Sequence, residues 1–451
     1  MAAVPAALAA KIEEWMAQYG VPGVAVGIYH GGEEHVGAWG VTSVDTRQPV
    51  TTDTLFQIGS TSKTFCGTAA MVLAEQGRLD LDTPLRTYLP DLHLKDADAT
   101  AKATMRHCLT HVGGWLGDYF DDTGSGDDAL AKIVAQMATL PQVAPLGAMW
   151  SYNNAGFYLA GRAIEAITGQ TYEDALQELV IAPLGLSRTL FFAKHAITER
   201  FAVGHTTAVG QPPAVSRPWE LPRSANAAGG FLADIPDQLA YARFHLGDGT
   251  SATGVRVLSE AGLKGMQQPL VDKGRDGQMG LSWQLAEMDG VRIVRHGGAT
   301  NGQLSAFQMV PERGFAVAVL TNANRGVELH GQVVKWTLEH YCGLHEPEQA
   351  VAAISPDAVA EYVGTYTAPL SDIAIALRGG ELIAQVMPKG GFPNRLSQLP
   401  PPPPPTRVEF IGTDWIRADD EPFKGNKAEF LRDPDGSVGW LRWGGRAARR
   451  Q

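Results

Sequence analysis

Cysteine, long apolar runs and clustered positive charge are all scarce in this chain of 451 residues. Its three cysteines, Cys66, Cys108 and Cys342, lie far apart, are odd in number and form no Cys-x-x-Cys pair. That excludes a disulfide framework and points to buried free thiols in a reducing compartment. No run of ~18 or more apolar residues occurs, so no membrane-crossing helix is expected. Residues 2–10 are apolar, but no basic segment precedes them and Lys11, Glu13 and Glu14 follow. With Ile12, Trp15 and Met16 at helical spacing, this start reads as a surface amphipathic helix rather than a secretory signal, and the expected location is the cytoplasm. A net charge of −11 without a basic stripe argues against nucleic acid as a partner.

The composition that remains, 44% hydrophobic and 19% charged, describes an ordinary globular enzyme. The length exceeds what one hydrophobic core usually serves, so one large domain and one small domain are expected. The polar segment 343–350 follows a helical pattern at 333–341 and marks the boundary. After it the periodicity shortens to two, at 361–366, 373–377, 381–386, 407–411, 427–431 and 438–442, which describes a small antiparallel sheet or barrel. The expected division is 1–345 and 355–451. The polyproline run 400–405 reads as a stiff loop between two strands. In the large domain, runs at 24–30, 36–39, 283–287, 291–295, 305–311 and 316–320 read as strands. Stretches 60–76 and 153–168 read as helices, giving an α+β class.

Ser60-Thr61-Ser62-Lys63 sets a hydroxyl and an amine three residues apart where an apolar helical pattern begins (Phe65, Ala69, Val72, Leu73). Residues i and i+3 share a helix face, so Ser60 Oγ and Lys63 Nζ come within hydrogen-bond reach. A neutral amine beside a serine takes its proton, and N–H groups at a helix start hold the resulting oxyanion. By itself such a tetrad is more often a helix N-cap followed by a solvated lysine. Two further stretches change the weighing. Tyr152-Asn153-Asn154 follows a turn-like segment and opens a second helical pattern. There a tyrosine oxygen relays a proton and a side-chain amide holds lysine and substrate. His296-Gly297-Gly298 ends a strand pattern, where glycines leave the backbone bare to a substrate.

The order Ser-x-x-Lys, Tyr-x-Asn, His-x-Gly resembles the serine β-lactamase and penicillin-binding-protein superfamily, most closely its class C-like branch of serine hydrolases. The segments Thr104–Gly114, Pro183–Leu186, Ala227–Gly230 and Phe315–Asn322 are similar to that branch as well. The resemblance implies an αβα sandwich around an antiparallel sheet for the large domain, and a lipocalin-like domain after it. It implies an acyl-enzyme hydrolase acting on small-molecule or peptidyl esters or amides. Ser60 would be the nucleophile, and Lys63 and Tyr152 the proton-handling pair. Asn154 would orient lysine and substrate, and the N–H groups of Ser60 and Ala299 would form the oxyanion hole. Gly298 would lie along the substrate. Neither a cofactor nor a metal is implied; His107 and His111 fall in a framework segment and read as structural. Where many relatives have Lys-Thr-Gly, this chain has His296-Gly297-Gly298, a poorer carboxylate anchor, which favours uncharged substrates over β-lactams. An acyl transferase, such as a peptide-cyclising thioesterase of the penicillin-binding-protein type, and a D-amino-acid peptidase are the alternatives. The basic end (Arg442, Arg446, Arg449, Arg450) either grips a substrate terminus, with Arg446 foremost, or is a solvated tail. No partner beyond the substrate follows, and the oligomeric state stays open.

Overall fold

The apolar stretches Gly23–His30 and Phe315–Thr321 are buried along nearly their whole length, which demands cover on both faces of the sheet that contains them. In this computed structural model they are central strands of a nine-stranded sheet. Its strands are β1 (Ala2–Ala3), β2 (Gly23–His30), β3 (Glu33–Gly40), β4 (Val271–Asp272), β5 (Gln278–Met279), β6 (Gln284–Met288), β7 (Val291–Ala299), β8 (Leu304–Val310) and β9 (Phe315–Thr321). The order is β1-β3-β2-β9-β8-β7-β6-β5-β4. Every pairing is antiparallel except β1 on β3, which is parallel. The sheet is therefore mixed by two residues at one edge. The structure describes residues 1–451 except 208, 209, 348, 349, 353, 355, 398 and 400, and the side chains of 356 and 357. Ser355 and Pro400, at the edges of the expected small domain and of the polyproline run, lie outside the described residues.

One face of the sheet packs on α1 (Ala6–Tyr19), through Leu8 and Ile12. The same face packs on a C-terminal helix, Gly326–Thr337, through Leu329 and Val333. The opposite face meets α2 (Ser62–Glu75), preceded by a 3₁₀ turn at Gly59–Thr61, and the helix Ile235–Leu246. Gly27 on β2 lets that last helix approach: a Cβ there would sit 2.6 Å from Ile235 Cγ2. Aromatic rings fill the space beneath, with Phe65 stacked on Tyr241 at 3.9 Å and Trp283 beside Phe307 at 5.8 Å. Helix–sheet–helix is the layering that the resemblance implies.

The second all-β element is a closed barrel of eight antiparallel strands. They are β10 (Gly364–Thr367), β11 (Ser371–Arg378), β12 (Glu381–Pro388), β13 (Thr406–Gly412), β14 (Trp415–Ala418), β15 (Lys427–Arg432), β16 (Val438–Trp443) and β17 (Arg446–Arg450). Pairing of Tyr366 with Arg450 closes it. Alternate inward residues, among them Ile373, Ile375, Val408, Phe410, Phe430 and Leu441, fill its core. Two strands escape the period-two pattern. β14 is only four residues long, and β17 reads as a charged tail because Ala448 is the one fully buried residue among its arginines. The basic end is thus not a solvated tail; it is the closing strand.

By internal contacts the chain forms two compact units. The first comprises Met1–Thr110, Asp122–Thr139 and Gly156–Glu346, and the second His111–Asp121, Leu140–Ala155 and Pro347–Gln451. The sheet belongs to the first and the barrel to the second. Among the described residues no helix is long and apolar enough to cross a membrane.

Candidate active site

Ser60 sits in the 3₁₀ turn that leads into α2, and it is the only residue between Thr54 and Ala70 that is not fully buried. The turn is tied down on every side. Ser62 Oγ donates to Gly59 O at 2.6 Å, Ser305 Oγ donates to Ile58 O at 2.7 Å, and the Thr61 and Ser305 hydroxyls meet at 2.8 Å. Lys63 lies one turn on, with no solvent exposure. Its Nζ donates to Ser60 Oγ at 3.2 Å and to the carbonyl of Ala228 at 2.5 Å, and it lies 5.3 Å from the centre of the Phe157 ring. The i, i+3 spacing therefore delivers the contact it implies.

The strand β7 comes up against this turn through two glycine contacts. Gly59 has φ +52°, and a Cβ there would lie 2.5 Å from the amide nitrogen of Ala299. A Cβ on Gly298 would lie 1.8 Å from Ile58 O. Only hydrogen at both positions lets the Ala299 N–H stand beside the start of the Ser60 turn. His296 is buried on the same strand, and its Nδ1 lies 2.6 Å from Gly297 O. A carbonyl only accepts, so Nδ1 carries the proton. Burial is the main cause and pushes the ring down to about 3. His296 is therefore neutral near pH 7, more firmly than its free value implies. It offers no charge to a carboxylate.

The residues Tyr152 and Asn154 belong to the barrel's unit and are positioned there by long-range contacts. The Tyr152 N–H donates to Gly445 O at 2.8 Å, in the β16–β17 turn, and its ring lies 4.4 Å from that of His111. The Arg446 guanidinium stands 4.9 Å over the Tyr152 ring and pairs with Asp118. Asp118 also accepts from Asn154 Nδ2 at 2.7 Å. The Ala447 N–H donates to Ser151 Oγ at 3.1 Å, and Arg442 lies over the Trp150 ring at 5.4 Å. The two framework histidines have structural work: His107 completes a capping box with Thr104, and His111 Nδ1 accepts from the Asn153 N–H at 3.0 Å.

Ser60, Lys63, His296, Gly298 and Ala299 are thus assembled in one unit. Tyr152, Asn154 and Arg446 are assembled in the other. Two participants are not marked as site groups by the sequence, although Ala228 falls in the Ala227–Gly230 segment. Asp118 is an isolated acid in a loop, and the Ala228 carbonyl is a backbone group that any residue would supply.

Residues 8–334 match the family described as Beta-lactamase. A curated relative, penicillin-binding protein 4 of Amycolatopsis lactamdurans, is 34% identical over 357 residues, covering 77% of this chain and 94% of the relative. The crystal structure of SurE with D-Leu is similar over 99% of both chains, with 25% identity and a TM-score of 0.75. That of a class C β-lactamase from Rhodobacter sphaeroides covers 74% of this chain and 100% of its own, with 26% identity and a TM-score of 0.61.

Proposed function

The chain belongs to the Beta-lactamase family of serine acyl-enzyme hydrolases, and on that footing we propose that it cleaves uncharged or peptidyl esters and amides through an acyl-enzyme on Ser60. The observation that carries this reading is the buried Lys63 amine 3.2 Å from Ser60 Oγ. Burial disfavours an ammonium ion, so in this reading the nitrogen is unprotonated and, with the hydrogen bond to Ser60 reversed, accepts the hydroxyl proton as Oγ attacks. The N–H groups of Ser60 and Ala299 receive the oxyanion; losing one such donor typically costs ~10²–10³ in rate. Lys63, or Tyr152 through it, returns the proton to the leaving group, and the same pair then activates the water or amine that clears the acyl-enzyme. Asn154 orients the amine and the substrate's acyl amide, Gly298 lies along the substrate, and the neutral His296 lines the cleft.

The choice of uncharged substrates rests on His296. Without charge, and with Gly297 supplying no hydroxyl, the strand has no match for a β-lactam carboxylate. A second reading, acyl transfer to an amine or use of a D-configured peptidyl donor, draws on the similarity to SurE with D-Leu along the whole chain, barrel included. In that reading Arg446 meets the carboxylate end of the substrate. Side-by-side turnover of p-nitrophenyl acetate, nitrocefin, D- and L-aminoacyl amides and peptidyl thioesters tests both. Ester kcat/KM should exceed that for nitrocefin by about tenfold or more, ~1.4 kcal/mol of discrimination. Nitrocefin turnover equal to ester turnover contradicts the first reading, and D-amides turned over no faster than L-amides contradict the second.

A further inference from the structure

Consecutive strand residues face opposite sides of a sheet, so Arg295 points away from the side that His296 serves. On that reverse side, between β6–β8 and the helix Gly326–Thr337, lies a cavity of about 360 Å³. Its sheet wall includes Met288, Ile293 and Ala306, and its helix wall Val334 and Leu338. Arg295 reaches into this space from β7, opposite Gln308 on β8, and Glu287, Lys335 and Glu346 lie on the same lining. Among the described residues its guanidinium makes no hydrogen bond and no ion pair; Asp276 and Glu346 act on it only through space. Burial works against its charge. Arg295 is only partly buried, so its donors are open to a carboxylate that enters the space. The other polar ring on the wall, His330, is spoken for by Thr321 at 3.0 Å and is kept neutral by burial, which pushes it down to about 3.

We propose that this cavity is a second ligand site, which binds a medium-chain aliphatic carboxylate with its chain along the apolar walls and its carboxylate on Arg295. The volume falls in the range of small-molecule sites. A guanidinium fork matches a carboxylate in two parallel hydrogen bonds, which supplies the acceptors that Arg295 lacks. The site lies on the reverse of the strand that carries His296 and Ala299, so its occupant does not compete with an ester at Ser60. This holds whether or not the reading of Ser60 is right, because binding is measured without turnover.

Calorimetric titration of sodium octanoate into the full-length protein should give one site per chain, with sodium acetate binding weaker by about tenfold or more. Arg295→Met should weaken octanoate about tenfold or more. Gly331→Trp should do the same by filling the space: Gly331 lies on the cavity wall, a Cβ there meets nothing within 4 Å, and the helix loses a glycine. If p-nitrophenyl acetate is turned over, octanoate should leave its KM unchanged. Absence of octanoate binding, affinity kept within about threefold in either variant, or a KM that rises in proportion to octanoate overturns the proposal.

Discussion

Gly298 and Gly297 are neighbours on β7 with different surroundings. A Cβ at Gly298 would lie 1.8 Å from the Ile58 carbonyl, whereas one at Gly297 meets only Ser305 O at 3.3 Å. Backbone cannot move aside as a flexible side chain can, so Gly298→Ala must push β7 away from the Ser60 turn and carry the Ala299 N–H with it. Ester kcat should fall ~10²–10³-fold, the cost of one oxyanion donor. Gly297→Ala should cost at least tenfold less, and stopped-flow ester hydrolysis distinguishes the two. His296 makes a different kind of prediction. A ring already neutral adds no ionisation to the rate profile. The pH dependence of ester kcat/KM in His296→Gln should therefore keep the wild-type shape between pH 5 and 8, whatever its height; a lost limb near pH 6.5 contradicts the neutral ring.

At the scale of elements, the hairpin β16–β17 fastens the Tyr-Asn-Asn segment within the barrel's unit. Asp118 is the pivot: its side chain is 3% exposed, and it answers both Arg446 and the Asn154 amide. Arg446→Met leaves that carboxylate buried with its cation gone, which should destabilise the protein by about 1–3 kcal/mol in urea titration. Arg446 is itself 39% exposed, so the lower end is expected. Asp118→Asn combined with Arg446→Met should cost less than the sum of the single changes, because each single change strands a partner. Additivity would contradict the coupling. Here the sequence was least informative. Ser60 with Lys63 is a three-residue relation, and the order of the three motifs was enough to expect the fold. Asp118 meets Arg446 across 328 positions, and a carbonyl such as that of Gly445 or Ala228 has no residue type to announce it. β17 escaped notice for a related reason: one inward alanine between arginines gives too faint an alternation to separate a strand from a tail.

For the molecule as a whole, three buried histidines weaken the fold in acid, while Asp234, raised to about 7 by burial, works in the opposite direction. His245, His296 and His330 are each pushed down to about 3, with burial the largest cause. Unfolded, they would take protons near pH 6.5, so the unfolded state binds more protons between that value and about 3. The contribution of these three rings is then fully present above pH 6.5 and is lost as pH falls towards 3. His330→Gln should lower proton uptake on unfolding at pH 5 by about one; an unchanged uptake would mean that His330 is not neutral in the fold. The central claim concerns one oxygen. Treatment with a fluorophosphonate followed by peptide mass mapping should find a single adduct on the peptide containing Ser60, lost together with ester turnover in Ser60→Ala. Turnover and labelling that survive in Ser60→Ala, or an adduct on Ser62 or elsewhere, would contradict it.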